Sequence, residues 1–239
     1  MTKNRALLLF ESLLPLQSFT MQLISVKICG ITRSEDLLLA DKLGADFFGF
    51  ILYPKSPRCL SLDTLSSLSQ SVDQDKCICV DVMPEVEKIE VLQGLGFTRF
   101  QIHCPENVDL VRIETLSERI GQEHLWLAPQ TADLLKFNTK FLSFSNTILI
   151  DSYSESSFGG TGQTGNWAAF KKLKKDFPNH EWVLAGGLSP DNLEEAYRES
   201  ESNHFDFNSG LESAPGIKSS VALEKLFNRV SLINKNSSI

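Results

Sequence analysis

The chain has 239 residues, 42% of them hydrophobic and 22% charged, and its 23 basic and 30 acidic residues give a formal charge of −7. This length and composition suit one domain with a substantial core and exclude disordered and collagen-like classes. The acidic balance argues against a nucleic-acid-binding surface and against attraction to an anionic membrane, so any anionic ligand must be held by local groups.

Residues 1–20 differ in pattern from the rest of the chain. The apolar run at 7–16 is interrupted by Glu11 and Pro15, no small-residue cleavage site comes after it, and it is too short to span a bilayer. Met21 stands just ahead of the first strand pattern, so residues 1–20 are expected to be a peripheral extension or a start-site artefact, with residues 21–239 as the barrel domain. From there short β-branched or aromatic runs alternate with longer amphipathic stretches. Strands are expected near 24–29, 47–51, 77–82, 100–103, 125–128, 147–151, 182–185 and 205–207. Helices are expected at 35–43 between Ser34 and Gly44, 62–68 behind Ser61, 85–92 opened by Pro84, and then 166–177, 190–200 and 219–229. Eight βα units without a long linker favour a single closed (β/α)8 TIM barrel over an open doubly wound sheet.

Alternation along the strands assigns faces. Val26 and Ile28 should meet the helix layer, as should Phe205 and Phe207, while Lys27, Cys29, Asp206 and Asn208 point into the barrel. The first and last strands of a closed barrel are neighbours, so Lys27 is expected to pair with Asp206 beneath Cys29. A buried lysine needs such a partner, and its positive field favours a Cys29 thiolate. Asp151 ends the sixth strand, which places a carboxylate and a thiol at the same mouth.

The five cysteines, Cys29, Cys59, Cys77, Cys79 and Cys104, are odd in number and lack a secreted-scaffold spacing, which fits a reducing cytoplasm. A zinc site built from Cys29, Cys77, Cys79 and Cys104 is the weaker reading, because no CxxC pair or ligand-spaced histidine accompanies them.

Seven segments in order resemble the phosphoribosylanthranilate isomerase family: Lys27-Ile28-Cys29-Gly30-Ile31-Thr32, Tyr53-Pro54-Lys55-Ser56-Pro57-Arg58, Gln101-Ile102-His103, Leu149-Ile150-Asp151, Phe158-Gly159-Gly160-Thr161-Gly162, Ala185-Gly186-Gly187-Leu188 and Asn208-Ser209-Gly210-Leu211-Glu212. The resemblance implies an Amadori rearrangement in tryptophan biosynthesis, with Asp151 as general acid and Cys29 as general base. Both steps are proton transfers, so no metal or organic cofactor is implied. It further implies that Arg58 pairs with the substrate's aryl carboxylate, and that Gly186, Gly187, Asn208, Ser209 and Gly210 cradle the phosphate of a small phosphorylated substrate. Lys27, Gln101, His103, Gly160 and Asp206 are expected to line or support the pocket, with the glycine-rich segment at 152–163 as a closing lid. Asp151 must be protonated to act first, which calls for burial in the closed site.

The sequence departs from the family pattern at Gln163, Cys104, Asn208, Leu127 and Ser219, and the lost positive charges bear on substrate affinity. A histidine-pathway isomerase on the same barrel would be expected to carry a carboxylate in place of Cys29. A non-catalytic barrel would be expected to lose Cys29 or Asp151, and a bifunctional enzyme would need a second barrel. The oligomeric state, monomer or homodimer, is not legible in the outer-helix faces.

Overall fold

The computed structural model describes residues 23–151 and 166–236. Eight parallel strands close into a barrel in sequence order: β1 (Ser25–Cys29), β2 (Phe47–Ile51), β3 (Cys77–Val82), β4 (Arg99–Cys104), β5 (Leu125–Pro129), β6 (Thr147–Asp151), β7 (Glu181–Ala185) and β8 (His204–Phe207). Closure is made where β1 lies against β8, with Lys27 level with Asp206. Around the barrel run α1 (Ser34–Leu43), α2 (Leu62–Ser69), α3 (Val86–Gly94), α4 (Leu110–Ile120), α5 (Trp167–Asp176), α6 (Leu193–Ser200) and α7 (Ser220–Asn236). Among the described residues no helix is long and apolar enough to cross a membrane.

The helix ends follow local chemistry. Ser61 accepts a hydrogen bond from the Thr64 backbone N–H and starts α2, and Gly44 ends α1 in the left-handed region at φ +100°. Two crossovers differ from expectation. The α4 helix was not anticipated, although Asp109 caps it by accepting from Val111 N–H. The β5–β6 crossover holds two 3₁₀ turns instead of an α-helix, at Leu134–Lys136 and Thr139–Ser143. Asp133 and Asn138 each cap one of them, and caps five residues apart leave room for a single turn between them. Phe137 and Phe141 are buried there and fill the place of the missing helix.

Alternation separates two apolar regions as expected. Val26, Ile28, Phe205 and Phe207 pack with the helices, whereas Cys29, Ile78, Val80, Trp126, Ala128, Leu149, Val183 and Ala185 fill the barrel interior. The barrel floor is aromatic: Phe47, Trp126 and His204 have ring centroids 5.0 to 5.7 Å apart. After β8 comes a 3₁₀ turn at Ser209–Leu211 and then a small hairpin, β9 (Glu212–Ala214) and β10 (Ile217–Lys218), which the sequence pattern did not suggest.

Candidate active site

One cavity of about 410 Å³ opens at the carboxyl ends of the strands. Its lining includes Cys29 from β1, His103 from β4, Asp151 from β6, Gly186 and Gly187 after β7, and Asp206, Asn208 and Ser209 from β8 and its loop. This is the face on which barrel enzymes assemble their chemistry. Side chains at the ends of β1 and β6, on opposite sides of the barrel, therefore share one space.

Beneath the cavity the Lys27 ammonium donates to Asp206 Oδ1 at 2.8 Å, and Lys27 is fully buried. Burial works against the Lys27 charge, but Asp206 and Cys29 more than offset it and hold the ammonium above its usual range. Lys27 is also within hydrogen-bonding reach of Cys29. Lys27 favours the Cys29 thiolate, as expected, but its field is not the largest influence on that thiol. Burial pushes the Cys29 thiol up, and the opposing pull of Lys27 and Lys218 does not bring it back to the ordinary thiol range.

A glycine within β2 makes this packing possible. Gly49 lies level with Cys29 across the β1–β2 pairing. A Cβ built on it would stand 2.8 Å from Cys29 Sγ and 2.9 Å from Lys27 Nζ, closer than such atoms come. The Gly49 carbonyl also accepts from Gly30 N at 2.9 Å and Ile31 N at 3.1 Å, which fixes the turn after the thiol.

Asp151 is exposed at the end of β6 and lines the cavity. The burial expected for it belongs to the closed site. The proposed lid, with Gly160 and Gln163, lies outside the described residues. On the other wall Gly186 and Gly187 take successive left-handed conformations at φ +89° and +62°. Asn192 braces that loop, donating from Nδ2 to Gly187 O at 2.9 Å and accepting from Ser189 N at 2.8 Å. Gly210, expected among the phosphate groups, is not part of the lining. A Cβ on it would sit 2.0 Å from Leu188 O, so it lets the loop after β8 lie directly on the loop after β7.

Arg58 stands at the rim and not in the lining. Its Cδ lies 2.7 Å from where a Gly30 Cβ would be, so the arginine stem crosses the backbone next to Cys29. Its Nε and Nη2 donate to Glu212 Oε1 and Oε2 at 2.8 and 2.5 Å. Against the effect of burial, Arg58 and Lys218 hold the Glu212 carboxyl below its usual range.

A family model described as N-(5'phosphoribosyl)anthranilate (PRA) isomerase matches residues 26–229. This chain belongs to that family. The N-(5'-phosphoribosyl)anthranilate isomerase of Aquifex aeolicus is 34% identical over 203 residues, covering 82% of this chain and 93% of the relative. That of Maridesulfovibrio salexigens is 36% identical over 202 residues, covering 81% and 91%. The crystal structure of phosphoribosyl anthranilate isomerase from Thermus thermophilus superposes with a TM-score of 0.71 at 26% identity, over 88% of this chain and all of that one. The dimeric enzyme from Thermotoga maritima, solved as generated monomers, gives 0.69 at 26% identity, over 87% and 99%. The chain is thus a phosphoribosylanthranilate isomerase family member, an isomerase of tryptophan biosynthesis.

For a phosphoribosylanthranilate isomerase, several positions matter that the sequence reading passed over. Gly49 carried a usable signal, since a glycine inside an otherwise bulky strand marks close approach. Glu212 ended a quoted motif without a role, and Lys218 had no local signal at all. Leu127, counted as a lost positive charge, packs with the helix layer and does not face the cavity. The four-cysteine zinc set is split: Cys29 faces the interior, while Cys77, Cys79 and Cys104 lie in the helix layer. The Gln101 Nε2 and His103 Nε2 atoms are 2.8 Å apart, and burial, with the charge of Lys27, brings the His103 pKa down to about 4. His103 is therefore a neutral ring at the cavity wall.

Proposed function

We propose that this chain converts N-(5′-phosphoribosyl)anthranilate to 1-(2-carboxyphenylamino)-1-deoxyribulose 5-phosphate by general acid–base catalysis. Asp151 gives a proton to the furanose ring oxygen, the ring opens, and the anilino nitrogen forms a Schiff base at C1′. Cys29 as thiolate takes the proton from C2′, and the resulting enolamine tautomerises to the ketose. The sum is an isomerisation, with no atoms lost.

The single observation that carries this reading is the shared cavity. Cys29 and Asp151 line it together with Gly186, Gly187, Asn208 and Ser209, so one ligand spans the acid, the base and the loops suited to a phosphate. A deprotonated Cys29 would be a stronger base for having a raised pKa, and Lys27 is placed to receive its charge. Arg58 supplies the group for the aryl carboxylate. The chain acts as a monomer or a homodimer, the Thermotoga maritima relative being dimeric, and a cytoplasmic location fits the free cysteines. The test is direct: loss of phosphoribosylanthranilate fluorescence on adding the purified protein. No turnover at high enzyme concentration would replace the catalytic reading with that of a metabolite-binding barrel.

A further inference from the structure

The arginine assigned to the aryl carboxylate already has a carboxylate on it, and the arrangement says which part of it remains for a ligand. A guanidinium carries five N–H donors in a rigid planar fork. Glu212 takes the side edge, made of Nε–H and one Nη2–H. The end edge, Nη1 with the second Nη2 hydrogen, is the one a planar carboxylate can grip with two parallel bonds.

Glu212 is itself fixed. Its side chain is 4% exposed, and Oε1 also accepts from Lys218 Nζ at 3.0 Å and Gly216 N at 3.1 Å. Lys218 donates in turn to the carbonyl and to Oδ1 of Asn208, at 3.2 and 3.0 Å. Asn208 lines the cavity, and its Oδ1, like the Cδ of Arg58, comes within 2.7 Å of where a Gly30 Cβ would stand. The hairpin after β8 thus ties the arginine to the loop of the thiol and to the wall of the phosphate loops. Thr32 adds a hydrogen bond to Gly216 O from the β1 side.

We propose that Glu212 is a positioning residue. It holds Arg58 by the side edge so that the end edge is presented to the aryl carboxylate of the substrate, and it thereby sets the preference for an ortho-carboxylated arylamine sugar phosphate. This rests on the assignment of Arg58 to that carboxylate. The competing arrangement is a parked arginine that must leave Glu212 before the ligand binds.

The test uses two ligands: the reduced product, and its counterpart lacking the aryl carboxylate. Dissociation constants for both are measured by calorimetry on the full chain, on Arg58→Ala, on Glu212→Gln and on the double variant. Turnover of phosphoribosylanthranilate is measured alongside. Glu212→Gln is expected to weaken the carboxylated ligand by about tenfold or more and the other by less than about threefold. Its kcat should change far less than its KM. The double variant should be no weaker than Arg58→Ala alone, because the two act through one contact. Equal losses on both ligands, no loss on either, or losses that multiply would overturn the proposal. If Arg58→Ala treats the two ligands alike, the clamp itself falls and the positioning role with it. If only Glu212→Gln fails to discriminate, the clamp stands and the positioning role falls. The unsubstituted protein supplies a readout that does not depend on variants folding. Its Arg58 Nε–H resonance, assigned by its loss in Arg58→Lys, should stay protected from exchange when the reduced product binds. Loss of protection on binding would show the parked arrangement and refute the proposal.

Discussion

At the scale of single residues, the proposed mechanism depends on a thiol that is buried, 4% exposed, and pushed up in pKa. A general base works only when deprotonated, so its contribution rises with pH until the pKa is passed. With the Cys29 pKa raised, kcat/KM should still be climbing through the ordinary thiol range before it levels. A plateau already at neutral pH would contradict the assignment. Cys29→Ala should lose several orders of magnitude in kcat with substrate affinity nearly intact, as expected when a group acts only in the transition state. Gly49 offers a second check. An alanine there forces Cys29 Sγ or Lys27 Nζ to move, and small misplacements at a reacting centre are worth about a hundredfold in rate. Gly49→Ala should therefore lower kcat by roughly ten- to a hundredfold, with overpacking that destabilises by about 1–3 kcal/mol. Unchanged kcat would mean that the thiol tolerates displacement. The inward placement of Lys27, Cys29 and Asp206 was readable from two-residue alternation, because a barrel strand has only two faces. The contact between Gly49 and the thiol was not, since it depends on which strand residues stand level.

At the scale of elements, the eight barrel strands were legible because each is a compact apolar run between turn residues. Helix ends slipped, most at α7, which runs to Asn236 and not to residue 229, and the β5–β6 crossover gave no helical pattern because Asp133 and Asn138 interrupt it twice. The hairpin β9–β10 has only five strand residues and no turn dipeptide of the usual hairpin kind, so the pattern hid it, and with it the partner of Arg58. The aromatic floor yields a prediction of its own. His204 is 8% exposed, its Nε2 has no hydrogen-bond partner among the described residues, and burial with the charge of Lys27 holds its pKa to about 4. An unfolded histidine takes up its proton near pH 6.5, as the folded one does only near 4. Between those values the unfolded chain binds the extra proton, so this residue costs stability as pH falls through that window and nothing above it. His204→Phe, which fits between Phe47 and Trp126, should leave stability at neutral pH level or higher by about 1 kcal/mol. It should also flatten the decline between pH 6 and about 4. Denaturant unfolding across that range decides it, and an unaltered slope would mean that the ring is charged in the folded state.

At the scale of the whole molecule, the barrel is complete from β1 at Ser25 to β8, and the family match begins at residue 26. A protein beginning at Met21 is therefore expected to melt and turn over substrate as the full chain does. A large drop in melting temperature or kcat/KM would make residues 1–20 part of the working domain.

The seam between β1 and β8 also governs when this protein can become native during synthesis. Lys27 and Asp206 are 179 positions apart, so the lysine emerges from the ribosome long before the carboxylate that neutralises it. Until then β1 has an open edge and an ammonium group with no reason to enter an apolar interior, and an unpaired buried charge is destabilising by about 3–5 kcal/mol. Barrel closure must be a late event that waits for β8 to leave the ribosome, and the waiting chain is the species exposed to aggregation. Ribosome-bound chains arrested before β8 should remain sensitive to protease along β1, and those extended past α7 should not. Early protection of β1 would mean that another group shelters Lys27 while the carboxylate is still being made.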